Sequence, residues 1–151
     1  MCACRIQGGC VSELNLDTLQ WTHPKITGAN PFPRSGHSST VVGKNLIAIF
    51  GGRLQADICY NDIFLLNVET YACILVNAVE TLLPTPIANC SLCAIGSKVY
   101  CFGGTDVKGE CYNDLRVCDL SEYLDKKDIS VAEGAASDYS FKVRDCQRID
   151  N

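Results

Sequence analysis

Two short, mostly apolar runs along the chain each end at a pair of glycines. Leu46–Phe50 is followed by Gly51-Gly52, and Lys98–Phe102 is followed by Gly103-Gly104. A run of this length bounded by turn residues is typical of a buried β-strand. Glycines at the end of such a run let the backbone turn with positive φ and pass close to a neighbouring element. The pattern therefore predicts two central strands that end at equivalent turns.

The two runs belong to a longer repeated unit. Its landmarks recur after 52 residues and comprise the glycine doublets, a cysteine, a tyrosine and an aspartate: Gly51 and Gly103, Gly52 and Gly104, Cys59 and Cys111, Tyr60 and Tyr112, Asp62 and Asp114. A period near 50 residues with strand-like content indicates the blades of a β-propeller.

Each unit is predicted to contain several short antiparallel strands. In the first unit they cover 39–42, 46–50, 62–68 and 72–78, and in the second they cover 91–95, 98–102 and 114–120. The stretch 22–33 contains three prolines and Gly28, a composition that predicts turn and loop.

These features resemble the kelch repeat, in which a hydrophobic run, a glycine doublet and a later tyrosine keep a fixed spacing. Residues 14–21 align with 66–73 and match the end of a preceding blade, with Trp21 as its outer-strand tryptophan. The resemblance implies an all-β fold, a partial kelch-type β-propeller with about two four-stranded antiparallel blades and a remnant of a third.

The resemblance also divides the chain. Residues 1–13 are unassigned, 14–124 hold the kelch repeats, and 125–151 form a polar tail with one late strand expected at 139–143. Within the repeats we expect the end of a truncated blade, a complete blade and a partial blade, at 14–32, 33–83 and 84–124. A closed ring needs about 4–8 blades, so the chain is either a piece of a longer propeller or completes its ring with other copies.

Composition removes several classes of function. A net charge of −4 and a pI near 5.1 give no basic surface for nucleic acid. The longest uncharged stretch, 81–97, contains prolines and is too short to span a membrane, so no membrane association is expected.

Most of the eleven cysteines are predicted to be free thiols that fill tight packing within the blades. The first residues have no apolar signal core, so we expect a cytoplasmic or nuclear protein without disulfides. Cys90 and Cys93 have the spacing of a zinc knuckle, but three residues apart in a strand they point to opposite faces. No metal and no other cofactor is expected.

No catalytic motif is present. The sequence lacks a nucleophile elbow, a P-loop and a dinucleotide-binding glycine motif, and it contains only His23 and His37 as histidines. We therefore do not expect an enzyme. Asp62 and Asp114 occupy equivalent places in separate units, so they do not form a catalytic pair. Each is expected to bond backbone amides at the start of its strand.

The candidate binding residues lie in long loops that antiparallel strands would place on one rim of the propeller: 22–33, 53–61, 77–86 and 105–113. Propellers that resemble this one mostly hold a protein or a peptide there. The contact candidates are Arg34, Arg53, Gln55, Asp57, Asp106, Lys108 and Glu110. The alternative is that the loop charges are only solvated, that Arg34 pairs with an acidic neighbour, and that His37 bonds the adjacent backbone.

The sequence thus predicts a protein-interaction module that uses propeller-rim loops, as in kelch-type adaptors or scaffolds, with a protein or peptide as partner. Two other interpretations remain. The chain could be a recognition or regulatory fragment of a larger enzyme, or a truncated product without activity of its own.

Overall fold

Strands dominate the structure, a computed structural model that describes residues 11–56, 58–76 and 86–124. In chain order the elements are β1 (Glu13–Leu14), β2 (Trp21–Thr22), β3 (Thr27–Gly28), β4 (Ser38–Val42), β5 (Leu46–Phe50), β6 (Arg53–Gln55), β7 (Ile58–Cys59), β8 (Ile63–Asn67), β9 (Ala72–Leu75), β10 (Ser91–Ile95), β11 (Lys98–Phe102), β12 (Leu115–Asp119) and α1 (Ser121–Leu124). This confirms the predicted all-β fold.

The first blade is the antiparallel set β4-β5-β8-β9. The blade begins with β4, whose residues alternate between exposed and covered positions, and continues with β5 and β8, which are almost entirely buried. β5 has its predicted bounds, and the other three strands overlap theirs. Residues 77 and 78, predicted to end the fourth strand, lie outside the described residues.

The second blade contains β10, β11 and β12 in antiparallel register. In the described part of the chain no fourth strand follows β12. Instead the chain enters α1, whose Tyr123 and Leu124 pack against the core. Before the first blade, β1 and β2 form a two-stranded remnant in which Trp21 pairs with Leu14 and is 61% exposed. The predicted strand at 139–143 lies outside the described residues.

Two loops predicted from composition contain strands. Within 22–33, β3 pairs in parallel with β9 and extends the first blade to five strands. Main-chain N–H groups of Thr27 and Ala29 donate to the carbonyl oxygens of Tyr71 and Cys73 at 3.0 and 2.8 Å. Within 53–61, β6 and β7 form a hairpin with an irregular register. The loop predictions missed these short strands, because β3 takes its main-chain partners from the edge of β9 and β6 and β7 take theirs from each other, and composition reports neither pairing.

The main core lies between the two blades. Its fully buried side chains come from both sheets and from the connecting segment, and the largest are Phe50, Ile63, Leu65, Ile87, Leu120, Val42, Val76 and Val99. A second cluster lies on the other side of the first blade, where Val11, Ile26 and Ala29 cover Ile49 and Phe64. The first blade is therefore buried on both faces.

The glycine doublets turn with positive φ, as predicted. The angles at Gly51, Gly52, Gly103 and Gly104 are 62°, 94°, 68° and 105°. A Cβ at Gly51 would lie 2.5 Å from the carbonyl oxygen of Ile87, in the segment that leads into the second blade. The missing side chain at this position therefore permits the close approach of the two blades.

The seven cysteines among the described residues are thiols. Cys90 is buried and Cys93 is exposed, so the two side chains diverge, as predicted. Cys73, Cys101 and Cys118 are buried and fill the interior as predicted. Cys111 is exposed and does not, although Cys59, its equivalent in the first unit, is half-buried.

Thiol reactivity should follow this division. Burial raises the pKa of Cys73 to about 12, and only the thiolate attacks a maleimide. We expect Cys93 and Cys111 to be modified in the native protein, and Cys73 to be modified only after denaturation. Mass spectrometry of peptides from a timed labelling reaction measures this order. Equal native rates at Cys73 and Cys111 would contradict the packing described here.

Candidate functional site

One arginine is buried inside the first blade, where it forms an ion pair. The Arg34 side chain is fully buried, and its Nη2 donates to Oδ2 of Asp62 at 2.9 Å while Nη1 donates to Oδ1 of the same carboxylate and to the carbonyl oxygen of Gly51. Its guanidinium carbon lies 4.3 Å from the ring centre of Tyr60 and 5.2 Å from that of Phe64. This fork serves the packing of the blade, and the structure does not present it to a ligand.

The second blade builds the same arrangement from a different position. Ile87 stands where the first repeat has Arg34, and it is fully buried. Arg116 takes over the pairing: it donates to Oδ2 of Asp114 and lies 5.9 Å from the ring centre of Tyr112. Both units thus have the aspartate and the tyrosine, but the arginine that pairs with the aspartate comes from position 34 in the first unit and from position 116 in the second.

The expected backbone bonds of the two aspartate side chains are replaced by these arginine pairs. The main-chain carbonyl oxygens of Asp62 and Asp114 instead accept from the N–H groups of Gly51 and Gly103, at 3.1 and 3.2 Å. A charged fork outcompetes a neutral amide for a carboxylate at a covered position. Asp62 and Asp114 therefore join each strand start to its glycine doublet through the main chain. In the first blade the Asp62 side chain adds a second link, because its partner Arg34 also donates to the carbonyl oxygen of Gly51.

His37 does not make the expected bond to the backbone. Its Nδ1 is buried without a hydrogen-bond partner in the described residues. Burial and the positive charge of Arg34 lower the pKa of His37, so the neutral ring is favoured at neutral pH.

A groove opens at the rim between the hairpin β6-β7 and the loop 105–113. It encloses about 510 Å³ and is lined by Ile58, Cys59, Pro86, Asp106, Val107, Lys108, Glu110 and Tyr112. The structure thus brings together the two loops that the sequence singled out, and we call this feature the rim groove.

Asp106 holds one wall of the rim groove in shape. Asp106 is only 6% exposed. Oδ1 accepts from the N–H groups of Lys108 and Glu110 at 2.8 and 3.0 Å, and Oδ2 accepts from the hydroxyl of Tyr112 at 3.1 Å. Burial alone would raise the pKa of Asp106, but these bonds to its carboxylate outweigh burial and lower it.

The other predicted contact residues differ in their accessibility. Arg53 is half-buried, and its Nη2 donates to Oγ1 of Thr105 at 3.0 Å, which joins the two loops. Gln55, Lys108 and Glu110 are exposed. Asp57 lies outside the described residues.

Sequence reasoning missed the apolar part of the rim groove. Ile58 and Val107 are 41% and 45% exposed although both are large and apolar. The charged loop residues give no indication of these two positions, whereas an apolar residue inside a polar loop is the signal that reveals them.

Removal of the Asp106 carboxylate should loosen the loop. In Asp106→Ala we expect amide exchange at Lys108 and Glu110 to rise by roughly an order of magnitude, because both N–H groups lose their acceptor. Asp106→Asn is the matched control, since its amide oxygen can still accept both. Because the pKa of Asp106 is lowered, the carboxylate stabilises the loop fully at pH values above 3.8, the ordinary pKa of the group. This stabilisation is lost as the pH falls further and the carboxylate takes up a proton. Unchanged exchange in Asp106→Ala would contradict this role.

The described residues contain neither a metal-binding cluster nor a membrane-spanning helix. No group of three or more histidine, cysteine, aspartate or glutamate side chains there is placed to hold a metal ion. No helix in those ranges is long and apolar enough to cross a membrane.

Comparison with known proteins identifies the repeat. A family model described as the KLHDC2/KLHL20/DRC7 Kelch-repeats domain matches residues 8–137. Host cell factor 1 of Homo sapiens is 31% identical over 140 residues, which cover 83% of this chain and 7% of that protein. Rho GTPase-activating protein gacHH of Dictyostelium discoideum is 33% identical over 99 residues, covering 62% of this chain and 6% of its own length.

A plant relative extends the comparison. Acyl-CoA-binding domain-containing protein 5 of Arabidopsis thaliana is 31% identical over 110 residues, which cover 73% of this chain and 17% of that protein. The chain thus spans only a small part of each curated relative described here. The family model covers most of the chain and matches the blades seen in the structure, so the chain belongs to the kelch-repeat family.

Proposed function

We propose that this chain is a protein-interaction module without catalytic activity of its own, and that it binds a protein or peptide in the rim groove. The observation that carries the proposal is the apolar pair Ile58 and Val107, exposed on facing loops beside Lys108 and Glu110. Apolar contact area with charged groups at its edge is the usual composition of a protein contact site.

The rigidity of the groove supports this function. Arg53 and Asp106 fix the two loops through hydrogen bonds, so little loop entropy is lost when a partner binds. The thiols of the described residues favour a reducing compartment, and we place the module in the cytoplasm or the nucleus.

The rim groove can be tested with a double substitution that leaves both loop-fixing residues intact. We expect Val107→Glu with Lys108→Glu to reduce capture of specific partners at least tenfold, because it removes apolar contact and reverses a charge. Lys44→Glu, in the turn between β4 and β5, is the control and should keep capture. Quantitative mass spectrometry of pull-downs from cell extract measures the ratio, and circular dichroism verifies the strands.

Two results of the pull-down would contradict the proposal. If Lys44→Glu loses the partners and the double variant keeps them, binding uses the other rim. If the parent enriches nothing over the bare resin, the chain has no partner-binding activity of its own.

A second candidate function is recognition or regulation within a larger enzyme. It is favoured by the similarity to Rho GTPase-activating protein gacHH, in which the matched part is 6% of the length. Sequencing of the full-length transcript tests it, since an adjoining catalytic domain in the same reading frame is required.

A further inference from the structure

Two buried cysteines of the second blade contact each other through their side chains. Cys90 lies one residue before β10, and Cys101 is in β11, where it pairs with Leu92. Alternate residues of a strand share a face, so Cys90 lies on the face of Leu92 and is a diagonal neighbour of Cys101. The thiols of Cys90 and Cys101 are hydrogen-bonded to each other. We call these two cysteines the thiol pair.

The thiol pair lies in the core between the two blades. Cys90 and Cys101 are 8% and 2% exposed, and both belong to the cluster that contains Phe50 and Ile63 of the first blade. The hydroxyl of Ser38, on β4 of the first blade, donates to the carbonyl oxygen of Cys90. The first blade therefore holds the main chain at Cys90 while the Cys90 thiol meets that of Cys101.

The repeat does not require a cysteine at either position. The register of the first two strands in each unit shows that Cys90 corresponds to His37 and that Cys101 corresponds to Ile49. A blade with this pairing can thus be built without either thiol. Two thiols in contact give the second blade a chemistry that the first blade lacks.

The hydrogen bond gives the two sulfurs different roles. The thiol of Cys101 donates to the sulfur of Cys90, which lowers the pKa of Cys90 against the opposing effect of burial. The same bond, together with burial, raises the pKa of Cys101. Cys90 is also the more exposed of the two. Because the thiolate is the reactive form of a cysteine, Cys90 is the sulfur that an oxidant meets first.

We propose that Cys90 and Cys101 are an oxidation site, at which hydrogen peroxide forms a reversible disulfide. The Cys90 thiolate attacks one peroxide oxygen and the O–O bond breaks, which leaves a sulfenic acid at Cys90 and a hydroxide that takes up a proton. The sulfur of Cys101 then attacks the sulfur of Cys90. The S–S bond forms, the S–O bond breaks, and the oxygen leaves as water with the proton of Cys101. The two thiols are thus oxidised by two electrons, and one peroxide is reduced to two waters.

Closure of the disulfide requires little movement. A disulfide needs its sulfurs about 2 Å apart, and the thiols of the pair are already in hydrogen-bond contact. Cys90 precedes the ladder of β10 and β11, so its main chain can shift without breaking a pairing of that ladder. A dithiol reductant restores both thiols by exchange and is itself oxidised. A transient disulfide of this kind is compatible with a reducing compartment.

Peptide mapping of the full chain after treatment with hydrogen peroxide tests the thiol pair. Trypsin cuts after Lys98, between the two cysteines, and the peptide 99–108 contains Cys101 as its one cysteine. The preceding peptide, 54–98, contains Cys90. We expect mass spectrometry to find these two peptides joined in the oxidised parent, with the loss of two hydrogen atoms, and separate again after dithiothreitol.

Three variants identify the sulfurs. In Cys101→Val the second thiol is missing, so we expect Cys90 to stop at the sulfenic acid and to be trapped by dimedone. In Cys90→Val no joined peptides should form, and Cys101 should remain a thiol. Cys93→Ser is the matched control, because Cys93 is in the same tryptic peptide but exposed, and the joined peptides should persist. Circular dichroism verifies that each variant keeps its strands.

The parent and the control decide the outcome even if a core variant fails to fold. Absence of the joined peptides at a peroxide dose that oxidises the exposed Cys93 and Cys111 would overturn the proposal. So would loss of the joined peptides in Cys93→Ser, since Cys93 would then be the partner of Cys101. A folded Cys101→Val without a dimedone adduct at Cys90 would also contradict it, because Cys90 would not be the sulfur that attacks the peroxide.

Discussion

The Gly51→Ala variant is expected to lose about 3 kcal/mol of unfolding free energy, from left-handed backbone strain and a main-chain clash. The added Cβ would lie 2.5 Å from the carbonyl oxygen of Ile87. That oxygen cannot retreat freely, because it accepts the N–H of Gly52 at 2.9 Å. The substitution therefore forces apart the two segments that hold the blades together.

Gly96→Ala provides the matched control. Gly96 has nearly the same φ, 61°, but a Cβ there meets nothing within 4 Å. It should lose only the strain of the backbone conformation, about 1 kcal/mol. Urea unfolding followed by circular dichroism gives both values. Equal losses at the two glycines would show that the close approach to Ile87 has no energetic weight.

The Arg34→Met variant should lose about 3 kcal/mol, since removal of one partner leaves a covered carboxylate without its cation. Arg34 is fully buried and the Asp62 side chain is 20% exposed, so some solvent reaches the remaining charge. Stacking on Tyr60 and Phe64 is lost as well. Arg34→Lys keeps the charge but loses the bidentate geometry, and it should fall between the parent and Arg34→Met.

A double-mutant cycle separates the ion pair from the stacking. Asp62→Asn removes the charge of the carboxylate, and the double variant Arg34→Met/Asp62→Asn removes both charges. We expect the double variant to lose clearly less unfolding free energy than the sum of the two single losses, because the double variant leaves no unpaired charge in the blade. Strict additivity would mean that Arg34 acts only through its packing.

The strands and their turns could be predicted from sequence because the repeat carries that information twice. β5 and β11 have the predicted bounds, and both glycine doublets have the predicted positive φ. β3 could not be predicted, since Thr27–Gly28 has no hydrophobic alternation and pairs only through its main chain. α1 could not be predicted either, because it replaces the turn that the first blade has at the same point.

The site was predictable at the level of loops and not of side chains. The repeat pointed to 53–61 and 105–113, and these two loops do form the rim groove. Asp106 has no counterpart in the first unit, where Leu54 stands at the equivalent place, so the repeat gave no sign that it is buried. Arg116 was missed for a related reason: its equivalent is Phe64, and only the geometry shows that it replaces Arg34.

The parallel strand β3 sets an order for folding during synthesis. Thr27 and Gly28 leave the ribosome before their partners Ala72 and Cys73 have been made. The N-terminal segment must therefore wait, unpaired, until nearly the whole first blade has emerged, and closing so long a loop adds an entropic cost. β3 can therefore pair only after β9 has emerged, and it then occupies the main-chain groups at Ala72 and Cys73 that would otherwise be open to a neighbouring nascent chain.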